Sequence, residues 1–241
     1  AARNAMDADK DCKLVAMGDA FEDSLQRQKR GLSKHPKFDV ADSHCFVGFD
    51  AYKQVIDASD VVILATPPHF RPEHYRYAVA AEKHLFVEKP VAVDAPGVRH
   101  VMATNAMAAE KKLAVVSGLC WRYDYGVRET IRQIKEEGMI GDLMSIQSDY
   151  LTGLLWHRGD KPNWSRMEYQ MRNWMYYTWL SGDHCTEQHV HSLDKIMWLM
   201  DDQPPVSAFG LGGRIQRTEK KFGNVYDHFT ATYAFANGLH A

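Results

Sequence analysis

Two short stretches of this 241-residue chain carry the side chains best suited to acid–base chemistry. The first is Glu88-Lys89-Pro90, which closes an apolar run. A lysine at the carboxyl end of a parallel strand stands where open α/β sheets bind ligands, and it can hold a substrate hydroxyl there. Taken alone, Lys89 reads more simply as a surface lysine before a proline. The second stretch is GDHCTEQHVHSLD at 182–194. Glu187 and His191 stand four apart, so on a helix they share one face. An imidazole titrates near neutrality and suits the part of a general base. His184, Cys185, Glu187, His189 and His191 are all metal-ligand types, but there is no H-E-x-x-H and the spacing matches no zinc pattern. No metal is therefore expected. Asp194 reads equally as a structural or a catalytic acid.

These groups need a scaffold, and the pattern predicts one. Residues 1–6 read as the tail of a helix, and a strand follows over 13–17, closed by Gly18-Asp19. A strand that ends in an acid, after a helix, resembles the second strand of a dinucleotide-binding βαβ unit, with Asp19 placed for the adenosine ribose rather than as a mere helix cap. The Gly-rich turn of such a unit lies roughly 20 residues before the acid, which here falls upstream of residue 1. Helices are expected over 21–32, 52–58, 73–83 and 96–111, and strands near 46–49 and over 60–66, 84–87 and 114–118. The apolar run 60–66 predicts a strand buried on both faces. This alternation implies an α/β fold, a Rossmann-like doubly wound parallel sheet that lacks its first strand and Gly-rich loop.

The pattern changes near residue 120. A helix is expected over 126–137 with Gly138 as its cap, a long strand over 143–151, an irregular aromatic stretch over 156–179, and a helix over 185–200. Strands over 206–215 and 225–236 suggest a largely antiparallel sheet. Asn237-Gly238 signals a hairpin, but the three residues after it are too few for a stable return strand. The expected organisation is a dinucleotide-binding domain over 1–120 and an α+β domain over 121–241, with both ends of the chain reading as cut. Trp156, Trp164, Trp174, Tyr176, Tyr177 and Trp179 are dense enough for stacking on sugar C–H groups, although packing is the commoner use of such faces.

Composition bounds the alternatives. The 29 basic and 31 acidic residues leave a formal charge of −2, so there is no basic excess to neutralise nucleic-acid phosphates. No apolar run approaches the ~18 residues of a membrane helix. Four cysteines in this length do not form a disulfide framework and suggest a reducing, cytoplasmic setting, with export as the alternative if a signal precedes residue 1.

Together the motifs resemble the Gfo/Idh/MocA family, the relatives of glucose–fructose oxidoreductase and inositol dehydrogenase. The carriers are Thr66-Pro67-Pro68 followed by His69 and His74, the strand EKHLFVEKP at 82–90, and Glu187-x-x-x-His191-x-x-Asp194, where Glu187 replaces the usual aspartate. The resemblance implies an NAD-binding first domain and hydride transfer to or from a carbon of a sugar, polyol or related alcohol. By position it makes Lys89 the site lysine, His191 the catalytic histidine and Glu187 the carboxylate that shares the site. Asp19 becomes the ribose ligand, and Thr66, Pro67, His69 and Glu88 line the cofactor with Lys89. Arg122 would contact the cofactor or substrate, or form an ion pair at the domain junction. A carboxylate at Asp19 repels a 2′-phosphate, so NAD is expected over NADP. A homo-oligomer through the second-domain sheet is expected. An NAD-dependent glycosidase on the same scaffold, or a non-catalytic binding relative, are the alternatives.

Overall fold

Parallel strands alternate with helices through the first half of the computed structural model, which describes residues 1–241. The chain divides into two units, 1–66 with 70–118 and 67–69 with 119–241. In the first unit α1 (Ala2–Ala8) precedes β1 (Met17–Asp19). Then come α2 (Glu22–Leu32), β2 (Cys45–Val47), α3 (Ala51–Asp57), β3 (Val61–Leu64), α4 (Arg71–Ala80), β4 (His84–Val87), α5 (Ala95–Glu110) and β5 (Val115–Ser117). β1 pairs with β2, and β3, β4 and β5 form a ladder in that order; every pairing is parallel. Proline in the first turn opens both α4 and α5, where its missing N–H costs nothing. Asp94 caps α5 by accepting the Gly97 N–H at 2.7 Å.

Val62, Leu64, Leu85 and Val87 pack with Tyr75, Ala78 and Val79 of α4 and with Val101 and Ala108 of α5. Each valine or leucine among them contributes about 1.5–3 kcal/mol by leaving water. The expectation of burial on both faces of β3 needs correction: Val61 is 61% exposed and Ile63 only half-buried, so the helices fully cover one face. The expected strand 13–17 is also displaced. Leu14 makes one isolated bridge to Phe38, and the regular ladder begins only at Met17.

The second unit holds a 3-10 turn (Cys120–Tyr123), α6 (Tyr125–Lys135), α7 (Arg166–Arg172), α8 (Thr178–Ser181), a π turn (Cys185–His189), α9 (Val190–Leu199), and the antiparallel pair β6 (Ser207–Gly213) and β7 (His228–Ala234). The long strand expected over 143–151 does not form. Only Ser145 bridges, to His240 in the short segment after Gly238, and Ile146 N–H donates to the His240 carbonyl. That return segment is not too short to pair. Tyr233 and Ala241 exchange both backbone hydrogen bonds, at 2.8 and 2.9 Å, across the turn where Gly238 takes φ +85°. The tyrosines of the aromatic stretch are packing residues: Tyr169, Tyr176 and Tyr177 are buried, and Tyr176 meets Phe222 at 5.6 Å. Asn173, fully buried, ties this region together. Its amide donates to the Gly159 and Tyr169 carbonyls and accepts the Arg158 N–H.

Candidate active site

In the first unit the chemistry-bearing residues follow the carboxyl ends of parallel strands. Asp19 ends β1, and its Oδ1 accepts the Phe21 N–H at 2.9 Å. Phe21, not Asp19, holds the cap position of α2, so Asp19 stands in a turn of its own making. Thr66 follows β3, and its hydroxyl lies 3.2 Å from His74 Nδ1. That imidazole is buried between Tyr52, stacked at 3.9 Å, and Phe70 at 6.0 Å. Burial pushes its pKa down to about 4, so His74 is neutral at physiological pH and serves to hold the Thr66 turn.

Glu88 follows β4 and sits against Gly118, just past β5. A Cβ at Gly118 would come within 3.2 Å of Glu88 Cα and displace its Oε2, 2.7 Å away, so glycine keeps this edge uncrowded. Lys89 is half-buried, its N–H faces Glu88 Oε2 at 3.3 Å, and the Lys89–Pro90 peptide is cis. Arg71, buried at the start of α4, donates through Nη1 to the Pro90 carbonyl and straps the turn in place. Neither Gly118 nor Arg71 stands out in the sequence. Each meets its partner only through folding, at separations of 30 and 19 residues.

In the second unit Glu187 and His191 lie on one helical segment, with a widened turn between them. Gly182 and Asp183 both take left-handed φ, +78° and +67°, and the π turn follows at once. Such turns are uncommon and recur at functional sites. Asp183 is held in this backbone by its carboxylate, which accepts the neighbouring His184 N–H at 2.7 Å and the distant Tyr226 N–H at 3.1 Å. Burial raises the Asp183 pKa and lowers those of His184 and His189. Glu187 is 5% exposed. Tyr150 donates its hydroxyl proton to Gln188 Oε1 at 3.0 Å, and Gln188 Nε2 in turn donates to Glu187 Oε2. This relay holds the carboxylate in place through one of its oxygens.

Asp183, His184, Glu187, Gln188, Arg217 and Tyr226 line a small cleft with room for about one water molecule. His69 lies edge-on to Trp179 at 5.1 Å, with Pro67 in the same unit. Arg122 is committed elsewhere. Its Nε reaches both Asp194 oxygens at 3.0 and 3.1 Å, its Nη2 reaches Asp202 at 2.7 Å, and the guanidinium lies over Trp198 at 5.2 Å. Of the two readings of Arg122, the contacts are those of an ion pair. The pair is internal to the second unit, and it gives Asp194 a structural task. No group of three or more His, Cys, Asp or Glu side chains is gathered as a metal would need.

Two family models match in tandem. An "Oxidoreductase family, NAD-binding Rossmann fold" model covers residues 2–119, and a "GFO/IDH/MocA C-terminal domain" model covers 129–241. The chain belongs to the Gfo/Idh/MocA oxidoreductase family. Among the relatives of this Gfo/Idh/MocA chain, 2,7-anhydro-N-acetylneuraminate hydratase of Escherichia coli is 27% identical over 182 residues, which is 74% of this chain and 43% of that protein. Inositol 2-dehydrogenase 3 of Saccharopolyspora erythraea is 31% identical over 177 residues, 72% of this chain and 44% of that one. The crystal structure of myo-inositol 2-dehydrogenase from Lactobacillus plantarum shares the fold with a TM-score of 0.73 at 24% identity, covering 100% of this chain and 63% of its own. The Gfo/Idh/MocA chain spans about half the length of the curated relatives it matches.

The residues present fit the two ends of a dinucleotide. Asp19, Thr66 and Glu88-Lys89 occupy the strand ends where such ligands lie, and Gly118 keeps that edge open. Residues 1–241 contain no G-x-G-x-x-G, so the N–H cradle for a pyrophosphate is not among them.

Proposed function

We propose that the protein is an NAD-linked oxidoreductase acting on a carbinol carbon of a sugar, polyol or related alcohol. The observation that carries this reading is the carboxylate–imidazole pair Glu187 and His191 on one helical segment, in a chain whose first half matches an NAD-binding Rossmann model. When bound, the dinucleotide supplies the hydride acceptor or donor. The remaining work is done by this chain. His191 takes the hydroxyl proton as the carbon is oxidised, a task matched to imidazole. Lys89, at the strand end, brings a cation suited to holding the substrate hydroxyl. Glu187, held by Gln188, supplies the partner carboxylate. Asp19 accepts the ribose hydroxyls and disfavours a 2′-phosphate, while Thr66, Pro67, His69 and Glu88 line the nicotinamide end. Arg122 keeps its ion pairs and is left out of the cofactor site.

A second reading has one observation behind it, the hydratase relative. The same proton-moving groups would serve addition or loss of water, or cleavage of a glycoside, with no net oxidation. Inositol 2-dehydrogenase relatives favour the first reading. The β6–β7 sheet leaves Phe209 and Leu211 more than 60% exposed, which supports a second copy of the chain as the partner at that face. No helix is long and apolar enough to cross a membrane, and all four cysteines are free thiols, which supports a reducing compartment.

The test is NADH formation at 340 nm with a polyol and sugar panel, for the intact protein and for Lys89→Met and His191→Ala. Loss of general-base catalysis lowers turnover by about a hundredfold or more. Near-normal turnover in either variant removes the role given to that residue. Product without net NADH would establish the second reading.

A further inference from the structure

Two histidines of the 182–194 stretch, His184 and His189, are spent on a neighbouring segment. Each offers a ring N–H to main chain there, at Tyr150 and at Ser148, and burial favours the neutral form of both rings. Between these two contacts the Ser192 hydroxyl donates to the Asp149 carbonyl at 3.2 Å. Residues 148, 149 and 150 are thus tied in succession to the helical segment 184–192 and belong to no strand. The Tyr150 ring is bracketed as well. It lies edge-on to His184 at 5.8 Å and stacks against His189 at 6.5 Å. A tyrosine has only two side-chain torsions, so a ring clamped from both sides leaves its hydroxyl little freedom.

That hydroxyl donates to Gln188 Oε1 at 3.0 Å, and Gln188 Nε2 donates to Glu187 Oε2. The order of these links has a physical reason. The last torsion of a glutamate or a glutamine is broad and roughly two-fold, so packing sets it poorly. The carboxylate of buried Glu187 therefore needs a donor to fix its plane, and the amide of Gln188 needs one in turn. An amide has one accepting and one donating end, so a proton received at Oε1 leaves Nε2 turned towards Glu187. Freedom falls along the chain from carboxylate to amide to phenol, and Tyr150 is where it ends.

We infer that Tyr150 is a positioning residue of the candidate site, one that holds the Glu187 carboxylate through the Gln188 amide. It stands 38 residues before Gln188 and outside every motif that marks the site. His184 and His189 then have a task of their own, which is to deliver Tyr150 to that amide. The part played by Glu187 rests on the oxidoreductase reading, whereas the hold on its carboxylate is tested without turnover.

The first measurement is nuclear magnetic resonance of the intact protein labelled with ¹⁵N-glutamine. The Gln188 side-chain amide, assigned by its loss in Gln188→Met, should exchange with solvent about tenfold or more slower than that of exposed Gln147, as a held hydrogen bond requires. Tyr150→Phe removes one oxygen and keeps the ring between its histidines, and it should abolish that protection. The second measurement is turnover on the polyol and sugar panel. Tyr150→Phe should lower kcat about tenfold, the worth of one hydrogen bond, and leave KM within about twofold. Gln188→Met should lower kcat at least as much, and the double variant should fall no further, because Tyr150 acts only through Gln188. A tyrosine that merely supported the fold would give losses that multiply. Thermal melts separate loss of the relay from loss of fold, and Gln188→Met decides if Tyr150→Phe fails to fold. An unprotected Gln188 amide in the wild type, protection that survives Tyr150→Phe, an unchanged kcat in either variant, or multiplying losses overturns the inference. NADH formed by the wild type alongside any of those results leaves the oxidoreductase reading standing. A Gln188 amide whose protection depends on Tyr150, in a protein that forms no NADH from any compound, upholds the hold on Glu187 and removes that reading alone.

Discussion

Substituting His74 by glutamine removes a proton-linked instability that the burial of this ring builds into the first unit. The imidazole is 7% exposed, stacked on Tyr52 at 3.9 Å, and its pKa is pushed from 6.5 to about 4 by burial. On acidification the unfolded chain takes up this proton first, so stability is full above pH 6.5 and falls as pH drops towards 4. The whole shift amounts to about 3 kcal/mol, of which about 2 kcal/mol is already lost at pH 5. Glutamine can still reach the Thr66 hydroxyl but has nothing to protonate. The assay is urea unfolding at pH 7.5 and pH 5, followed by far-UV circular dichroism for both proteins. All six tryptophans lie within 119–241, so fluorescence follows the second unit as an internal control. The wild type should lose about 2 kcal/mol more than His74→Gln between the two pH values. Carboxylates that titrate over the same range are common to both proteins and cancel. Parallel losses, differing by less than about 0.5 kcal/mol, would refute the claim that His74 is held neutral by burial.

Two further outcomes test the scaffold of the site. Gly118→Ala places a Cβ 3.2 Å from Glu88 Cα and pushes its carboxylate aside, so it should cost about 1 kcal/mol and weaken NAD⁺ binding, read by thermal melts with and without the dinucleotide. Asp194→Asn leaves the Arg122 guanidinium short of its buried partner. It should cost about 2–3 kcal/mol, at the low end for such a pair because Arg122 is 28% exposed, and denaturant unfolding at neutral pH measures it.

Much of the architecture is legible before folding because it rests on local physics. Apolar runs such as HLFV at 84–87, stopped by proline, and capped helices such as the one that Asp94 opens, state their own ends. The motifs at 66–69, 88–90 and 187–194 are visible for the same reason: strand ends and a four-residue helical spacing depend on neighbours along the chain. Where pairing had to be supplied from a distance, pattern misled. The apolar stretch 143–151 alternates like a strand, yet it meets only one bridging residue, and Leu151 remains 95% exposed. The π turn that carries Glu187 has no periodic signature; it follows the left-handed pair Gly182-Asp183, whose carboxylate is met by the Tyr226 N–H from 43 residues away.

The sequence by itself determined the strand–helix order of the first unit, the antiparallel pair of the second and the residue types at the candidate site. These follow from propensity, period and turn chemistry, which act over a few residues. Tertiary structure alone decided how those residues are held. Arg71 reaches Pro90, Gly118 makes way for Glu88, and Arg122 is taken by Asp194. Hydrogen bonds and close contacts of this kind form between groups 19 to 72 residues apart, and only the packed chain chooses which of many possible partners each group meets.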